Sequence, residues 1–398
     1  MDEKQCVIAG GGPAGVMLGL LLAKAGVSVL VLEKHGDFLR DFRGDTVHPS
    51  TLEILDELGL AARFAALGAR RSTTFTLSTD TGDAVVGDFT LLRERHPYLA
   101  FVPQWDLLNL LTEEASRHPG FELRMNSEAT GLLREGGTVT GVRYRDEKGE
   151  EHEVRAPLTV GADGRGSRLR AAAQLPMRDY GAPMDVAWFR LSRQDTDPAE
   201  PFLRMSPGRL LVAINRETYW QLGYIVPKGQ TVDDIPNLRQ EVAALLPFLA
   251  GRVPELEEVS VLSVQVNRAR RWYRPGLLLI GDAAHAMSPV MGVGINLAVQ
   301  DAVAAANLLY EPLLRGTLNP GHLAAVQRRR TPPTVAIQAL QLLVQRGLIA
   351  PALSSEGTAG RSSPPKPLVL LRGFPPAQRF LTHLIAHGVR PEHVRIPN

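Results

Sequence analysis

A group of glycines near the start of the chain constrains its fold more than any other feature. A short β-prone run leads into Gly10, Gly12 and Gly15, and an apolar stretch typical of a helix follows. In this pattern the first glycine permits a tight turn, the second lets the backbone approach a pyrophosphate, and the third lets the helix pack closely on the strand. Pro13 fits the first helical turn, where its missing N–H costs nothing. The segment therefore predicts a dinucleotide bound at a helix N-terminus.

An acidic residue after the second predicted strand supports this prediction. Residues 27–32 are expected to form a buried strand, and Glu33 follows it, 21 positions after Gly12. A carboxylate at this place can accept hydrogen bonds from a ribose diol and would repel a ribose 2′-phosphate. The first 33 residues therefore predict a Rossmann-like βαβ unit, although they do not distinguish NAD from FAD.

The composition is that of an ordinary globular protein with an ample core. The chain has 398 residues, of which 44% are hydrophobic and 22% charged, and its formal net charge is +2. This length predicts two packed domains, and the balanced charge gives no indication of nucleic-acid binding. The single cysteine, Cys6, cannot form an internal disulfide and is expected to be a small buried strand residue.

Neither a targeting segment nor a metal site is expected. The N-terminus is acidic, and the apolar run over residues 16–23 is too short to span a bilayer. No group of His and Cys residues has the spacing of metal ligands. We therefore expect a cytoplasmic protein with no transmembrane segment and no metal, whose oligomeric state stays open.

The rest of the sequence divides into regions with different patterns. Residues 72–90 resemble the strands of an insertion, and a triple-arginine run ending at Arg330 is expected to be the solvated end of a helix. We predict an α/β fold with four segments. They are a discontinuous Rossmann-like domain (1–175 and 271–330), an inserted and mostly antiparallel β-sheet substrate domain (176–270), and a helical, Pro-rich C-terminal tail (331–398).

Two later motifs distinguish between the candidate dinucleotides. One contains Asp163-Gly164 within Val160–Arg170, and the other contains Gly281-Asp282 within Leu279–Pro289 and continues through Gly292-Val293-Gly294-Ile295-Asn296. Together with the first glycine motif, and in the same order, they resemble the single-component FAD-dependent aromatic hydroxylases, flavoprotein monooxygenases typified by para-hydroxybenzoate hydroxylase. The resemblance extends from about residue 4 to about residue 330.

This resemblance implies that the Rossmann-like domain binds FAD tightly and NAD(P)H transiently. The implied contacts of the adenosine half are Gly10, Gly12, Pro13 and Ala14 along the pyrophosphate, Glu33 and Lys34 at the ribose, and the Ala129 backbone at the adenine. The implied contacts of the flavin half are Arg43 near the path of the nicotinamide, Gln104 and Asp282 at the ribityl chain, Asp163 and Gly164 for FAD and NAD(P)H together, Pro289 beside the isoalloxazine, and backbone N–H groups of Gly292, Gly294, Ile295 and Asn296 at its pyrimidine edge.

The helix predicted from Asn296 to Tyr310 gives an independent physical reason for the last placement. A reduced flavin carries negative charge on its pyrimidine ring. Free N–H groups at a helix N-terminus stabilise a buried anion by about 1 kcal/mol or more. The start of this helix is therefore a suitable place for that edge of the ring.

The resemblance also implies a reaction. NAD(P)H would reduce FAD, dioxygen would add at flavin carbon 4a, and the distal oxygen of the flavin hydroperoxide would pass to an aromatic or other electron-rich small molecule. No catalytic base is predicted, and Pro289 is a candidate only because it would flank the ring. Trp188, Trp220 and Tyr224 lie on predicted strands that could form the floor of a substrate pocket, although strand aromatics are more often core.

Four alternatives stay open at this point: a related halogenase, an epoxidase, a prenyl-chain reductase, and a flavin-binding protein without catalysis. The flavin-dependent halogenases share a Trp-x-Trp-x-Ile-Pro motif. The nearest stretch here, residues 220–227, does not match that motif.

Overall fold

The chain alternates strands and helices through most of its length and is helical in its C-terminal part. The computed structural model describes residues 2–39, 46–231, 234–235, 237–256, 258–354, 362–372 and 374–397. In chain order the strands are β1 (Asp2–Glu3), β2 (Cys6–Ala9), β3 (Val29–Leu32), β4 (Thr46–Val47), β5 (Arg70–Ser72), β6 (Thr74–Ser78), β7 (Asp83–Asp88), β8 (Leu99–Phe101), β9 (Phe121–Arg124), β10 (Glu128–Glu135), β11 (Thr138–Arg145), β12 (Glu151–Arg155), β13 (Leu158–Gly161), β14 (Met177–Asp179), β15 (Met184–Ser192), β16 (Phe202–Ser206), β17 (Arg209–Asn215), β18 (Tyr219–Pro227), β19 (Ser260–Leu262), β20 (Asn267–Ala269), β21 (Tyr273–Arg274), β22 (Leu277–Leu279) and β23 (His285–Ala286). The α-helices are α1 (Pro13–Lys24), α2 (Pro49–Glu57), α3 (Ala61–Ala65), α4 (Gln104–Ala115), α5 (Arg168–Ala172), α6 (Leu238–Leu245), α7 (Gly294–Leu314), α8 (Pro320–Val344), α9 (Ala350–Leu353), α10 (Lys366–Arg372) and α11 (Pro375–His387).

A six-stranded sheet in the order β21-β22-β13-β2-β3-β9 forms the centre of the molecule. All of its neighbouring strands are parallel except β21 and β22. Every residue of β2, β3, β13 and β22 is buried, because helices α1, α4 and α7 cover one face and β10, β11 and β12 cover the other. Strands buried on both faces appear in sequence as continuous apolar runs, which is why they could be predicted. The predicted α/β class and Rossmann-like domain are confirmed.

The second large sheet is assembled from separate parts of the sequence. Its order is β19-β15-β18-β17-β16-β6-β7, and its neighbours are antiparallel except β16 and β6. Two of its strands, β6 and β7, come from within the predicted segment 1–175, because β6 adds to the free edge of β16. The boundary expected between residues 330 and 331 lies inside α8. The division into domains by sequence segment stays a prediction.

Two helical stretches, Val290–Leu314 and Pro320–Leu353, are long and apolar enough to span a membrane by length and composition. Their most apolar windows are 72% and 28% buried within the protein. Core helices of soluble proteins have the same length and composition. The first stretch contains α7, which packs against α1 in the core, so it is accounted for without a membrane.

The turn between β21 and β22 predicts a glycine requirement that can be measured. Gly276 has φ +75°, and an ideal Cβ there would lie 1.9 Å from the Val139 carbonyl oxygen. At Gly229 φ is +87°, but nothing lies within 4 Å of an ideal Cβ. We expect Gly229→Ala to cost about 1 kcal/mol of left-handed strain, and Gly276→Ala to cost at least about 2 kcal/mol more because of the clash. Urea unfolding measures the free energy of unfolding of both variants. Equal decreases in the two variants would contradict the prediction.

Candidate functional site

The three sequence motifs meet at one edge of the central sheet. Gly10 follows β2, Asp163 follows β13, and Gly281 follows β22, and these three strands are parallel neighbours. The strand ends are joined by backbone hydrogen bonds, from Ala162 N to Ala9 O (2.8 Å) and from Ile280 N to Gly161 O (3.0 Å). Ligands of open parallel sheets bind outside the carboxyl ends of the strands. The motifs therefore surround the place where this fold binds a cofactor.

The three glycines of the first motif have different surroundings. An ideal Cβ on Gly10 would lie 2.3 Å from the Ala162 carbonyl oxygen, and one on Gly15 would lie 1.9 Å from the Gly10 carbonyl oxygen. At Gly12 no atom of the described residues lies within 4 Å of an ideal Cβ, and none of their side chains caps the start of α1. Gly10 and Gly15 therefore allow close packing, whereas Gly12 borders open space at an uncapped helix N-terminus. This cradle fits a pyrophosphate group.

Glu33 is bound to the same glycine loop. Its side chain is buried, Oε2 accepts from Gly11 N (2.8 Å), and Oε1 accepts from His35 N (3.0 Å). His35 Nδ1 also lies 2.6 Å from Oε1. Lys34 beside it is exposed, and Arg43 lies outside the described residues. Glu33 thus connects the end of β3 to the glycine turn between β2 and α1, at the position expected for a ribose contact.

The carboxylate of Asp163 has an unused hydrogen-bonding position. Oδ2 accepts from Leu169 N (3.1 Å), but Oδ1 is buried and has no hydrogen-bond partner among the described residues. Burial raises the pKa of Asp163 above its usual value. The adjacent Gly164 has φ +77° and nothing within 4 Å of an ideal Cβ. A hydroxyl group of a ligand on this side would satisfy the carboxylate oxygen.

Asp282 lies at the same edge of the sheet, in the turn that follows β22. Its side chain retains 40% exposure, and Arg165 Nε lies 3.5 Å from Oδ2. Desolvation by the surrounding protein raises the pKa of Asp282, although the Arg165 charge opposes this effect. The preceding Gly281 packs between two helices, since its ideal Cβ would lie 3.2 Å from that of Ala14 and 3.5 Å from that of Ala298.

A strained turn precedes α7. Pro289 begins it, and both Met291 (φ 68°) and Gly292 (φ 63°) have left-handed backbone conformations. For a non-glycine residue this conformation costs about 1 kcal/mol or more, and such strain concentrates at functional sites. No side chain in the described part of the chain caps α7, so the backbone N–H groups at Gly294 and Ile295 begin a helix whose N-terminus can bind an anion.

The Asn296 side chain joins two helices by hydrogen bonds, a structural role that was not predicted. Its Oδ1 accepts from His48 N (3.0 Å) and from Thr51 Oγ1 (2.7 Å), so it joins the start of α7 to the start of α2.

Two other predicted contacts lie on separate elements: Gln104 is the half-buried first residue of α4, and Ala129 is buried in β10 opposite Tyr144.

His48 is a candidate site residue that the sequence analysis missed. It is fully buried, its Nδ1 donates to the Ile385 carbonyl oxygen (2.8 Å), and its Nε2 has no partner among the described residues. An ideal Cβ on Gly292 would lie 3.7 Å from Nε2. Burial lowers the pKa of His48 to about 4, so the ring is neutral near pH 7. Its position immediately before the helix-starting Pro49 gave no functional signal.

A buried ionic network lies behind the Gly281–Asp282 turn. Asp301 Oδ2 accepts from Gly281 N (3.0 Å) and contacts His285 Nε2 (2.6 Å), while Arg330 Nε donates to Oδ1 (2.9 Å). The side chains of Asp301, His285 and Arg330 are all 0–1% exposed. Burial alone would raise the pKa of Asp301, but His285 and Arg330 hold it below its usual value.

This network continues into the C-terminal tail. Arg330 Nη1 donates to Glu392 Oε1 (3.2 Å), and Arg329 forms a two-pronged pair with the same carboxylate (2.6 and 2.9 Å). The expectation that the arginine run is a solvated helix end is therefore wrong. Helix α8 continues to Val344, so Arg330 is in its interior turns and faces the core.

The three candidate substrate aromatics lie on two faces of the seven-stranded sheet. Trp188 belongs to the apolar cluster that also contains Val290 and Met291 of the strained turn. Trp220 and Tyr224 belong to the opposite cluster, which packs on α6. Trp220 is fully buried and donates to Asp197 Oδ2 (2.9 Å). The sheet therefore brings only Trp188 toward the turn before α7.

The ionic network predicts a large difference between neighbouring arginines. Arg330→Met leaves the buried Asp301 carboxylate without its guanidinium and should cost about 3–5 kcal/mol of unfolding free energy. Arg328 is exposed, so Arg328→Ala should change stability by less than about 0.5 kcal/mol. Urea unfolding at pH 7 compares the two variants. A loss below about 1 kcal/mol for Arg330→Met would contradict the proposed importance of the network.

Comparison with known proteins agrees with this geometry. The family described as "FAD binding domain" matches residues 3–341. The chain is 34% identical to 6-methylpretetramide 4-monooxygenase of Streptomyces rimosus, over 98% of this chain and 93% of the relative. It is 30% identical to 12-dehydrotetracycline 5-monooxygenase/anhydrotetracycline 6-monooxygenase of the same species, over 96% of this chain and 75% of the relative.

Solved structures give the same result. The anhydrotetracycline hydroxylase OxyS from Streptomyces rimosus superposes with a TM-score of 0.78 at 28% identity, covering 96% of this chain and 76% of that chain. The p-nitrophenol 4-monooxygenase PnpA from Pseudomonas putida, at 20% identity and a TM-score of 0.78, shares the fold. The chain therefore belongs to the FAD-dependent aromatic monooxygenases, which use NAD(P)H and dioxygen.

Proposed function

We propose that this enzyme hydroxylates a polycyclic phenolic substrate, with FAD bound tightly at the three motifs and NAD(P)H binding only transiently. The observation that supports the cofactor site is the meeting of Gly12, Asp163 and Asp282 at one sheet edge, beside an uncapped helix. The substrate class rests on the relatives, two of which are named for tetracycline-type compounds. A more distant relative, 24% identical, is named for pentachlorophenol, so a single-ring phenol is an outcome of the test.

The adenosine half of FAD would bind at the first motif. The proposed pyrophosphate contacts are Gly10, Gly12, Pro13 and Ala14, at the open end of α1. Glu33 lies at the end of β3 against the first glycine turn, where its carboxylate accepts from Gly11 N, and this is the place that the resemblance gives to the ribose contact. Lys34, Arg43 and Ala129 stay proposals from the resemblance.

The flavin half would extend toward α7. The unpartnered Asp163 Oδ1 and the partly open Asp282 carboxylate would accept hydroxyl groups, with Gly164 and Gln104 nearby in the proposal. The pyrimidine edge would meet the N–H groups from Gly292, Gly294, Ile295 and Asn296, with Pro289 at the ring. When bound, FAD supplies hydride acceptance and the activation of dioxygen.

The protein's own contribution is to orient groups and exclude water. The start of α7 would stabilise negative charge, and because His48 next to Gly292 is neutral near pH 7, this stabilisation would come from the helix N-terminus rather than from an imidazolium. The apolar cluster around Trp188, Val290 and Met291 would form a dry wall on the substrate side. Trp188 Nε1 is buried and has no partner among the described residues, so it is available to a polar group of the substrate.

The proposed cytoplasmic location is compatible with a chain whose one cysteine, Cys6, forms no internal disulfide. Cys6 is fully buried in β2, and burial raises the pKa of its thiol, so it is an inert core residue as expected.

The cofactor assignment predicts a variant that folds but binds FAD poorly. Gly12→Ala places a Cβ in open space, so thermal stability of the apoprotein should be unchanged. FAD affinity should fall at least about tenfold, or about 1.4 kcal/mol, because the methyl group would occupy the pyrophosphate position. The control is Gly251→Ala, where nothing lies within 4 Å and no dinucleotide is proposed. Flavin fluorescence titration measures the FAD affinity of both variants. Equal FAD affinities of Gly12→Ala and Gly251→Ala would contradict the assignment.

The substrate proposal predicts coupled turnover. A tetracyclic phenol should stimulate NAD(P)H oxidation by at least about tenfold over the substrate-free rate, and isotopically labelled dioxygen should place one labelled oxygen atom in the product. Trp188→Leu should lower the fraction of NAD(P)H that yields hydroxylated product and raise hydrogen peroxide release, since the dry wall is weakened. Mass spectrometry and a peroxide assay measure these quantities.

Two results would change the conclusion. Stimulation by single-ring phenols alone would overturn the polycyclic substrate class while leaving the monooxygenase assignment. Stimulated NAD(P)H oxidation without labelled product, for every phenol tested, would contradict hydroxylation as the reaction on these substrates.

A further inference from the structure

Three ligand-type side chains meet where α11 packs beside α2. His387 Nε2 lies 2.7 Å from Glu94 Oε2, and His387 Nδ1 lies 3.7 Å from Glu53 Oε2. One nitrogen and two carboxylate oxygens from these residues lie within 4.8 Å of one another. The three come from distant parts of the chain: α2, the segment before β8, and the end of α11.

The cluster is largely removed from water and incompletely satisfied. The side chains of His387, Glu94 and Glu53 are 4%, 17% and 30% exposed. Glu94 Oε1 is buried and has no hydrogen-bond partner among the described residues. Burial of an unpartnered carboxylate oxygen is costly unless a donor or a cation reaches it.

The charges of the cluster favour a cation. Both carboxylates lie against the His387 ring, and Glu94 Oε1 is buried without a partner among the described residues. The imidazoles of His383 and His96 also act on Glu94, and that of His393 acts on Glu53. A divalent ion would compensate both carboxylates and would bind a lone pair of the His387 imidazole.

We propose that His387, Glu53 and Glu94 form a binding site for a divalent transition-metal ion, with Zn²⁺ as the best match. One imidazole nitrogen and two carboxylate oxygens form a donor set used by zinc, with metal–ligand distances of about 2.0–2.2 Å and room for a water ligand. An imidazole ligand disfavours Mg²⁺ and Ca²⁺, which prefer oxygen ligands alone. The ion would bind one of the two ring nitrogens, so the carboxylate that now lies at the other nitrogen, Glu94 at Nε2 or Glu53 at Nδ1, would turn toward the ion.

The surroundings support this geometry. The ring of His383, one helical turn before His387, is 4.8 Å from the His387 ring and limits its rotation. On the same helix the Ile385 carbonyl accepts from His48, and Thr382 Oγ1 accepts from Asp88 N (3.3 Å). The ion would therefore fasten α11 to α2 and to the segment before β8.

The test uses the full-length, FAD-loaded protein after treatment with EDTA. ZnCl₂ is titrated by calorimetry, and the thermal midpoint is measured with and without it. We expect one equivalent to bind with a Kd of about 10 μM or tighter and to raise the midpoint. Glu94→Gln should weaken binding at least about tenfold. Because His387→Gln could fail to fold, Glu53→Gln, on a more exposed position, provides a second ligand variant with the same expected direction.

A second cluster in the chain supplies a matched control. Ligand atoms of Asp146, Glu150 and His152 also lie within 4.8 Å of one another, but none of the three residues is buried: Asp146 and Glu150 lie between β11 and β12, and His152 lies in β12. His152→Gln should leave the calorimetric Kd and the midpoint shift unchanged. The proposal is overturned if the wild-type protein binds no Zn²⁺ at about 100 μM, or if Glu94→Gln and Glu53→Gln both keep wild-type affinity. Loss of binding in His152→Gln alone would assign the ion to this second cluster and would also overturn the proposal.

Discussion

The buried carboxylate of Asp301 determines how the parts of this enzyme are arranged around the cofactor cleft. It accepts the N–H group of Gly281, contacts His285, and pairs with Arg330. Because Asp301 is fully buried, the loss of one of these partners would strongly destabilise the folded protein. The Gly281–Asp282 turn, α7 and α8 therefore have to keep one relative position. Since Arg330 also binds Glu392, the same constraint includes the C-terminal tail.

The tail is consequently part of the framework of the site. Glu392 in its last described segment pairs with Arg329 and Arg330, and the Ile385 carbonyl oxygen of α11 accepts a hydrogen bond from His48 Nδ1. His48 in turn donates its backbone N–H to Asn296 at the start of α7. Helix α7 is thus held against the Gly281–Asp282 turn by Asp301, and at its start by the Asn296–His48 hydrogen bond. Two independent supports of this kind can maintain the strained backbone at Met291.

Much of the cofactor side could be predicted because it is built from backbone geometry. Gly10, Gly12 and Asp163 lie in short local patterns, and parallel strands bring their ends together without further information. The burial of Arg330 could not be predicted, since it depends on Asp301 and Glu392, which are distant in sequence. The addition of β6 to β16 was missed for the same reason, because a free sheet edge is a property of the folded sheet.

The substrate side depends on which face of a sheet each side chain occupies. Trp188 lies on the face toward the turn before α7, whereas Trp220 lies on the face toward α6. All three aromatics are in apolar strands of similar appearance, and a shift of one residue in register exchanges the faces. Gly223 shows how specific the arrangement is, since an ideal Cβ there would lie 2.9 Å from the Trp188 ring. Family members can therefore keep the same cofactor motifs and still present different side chains to their substrates.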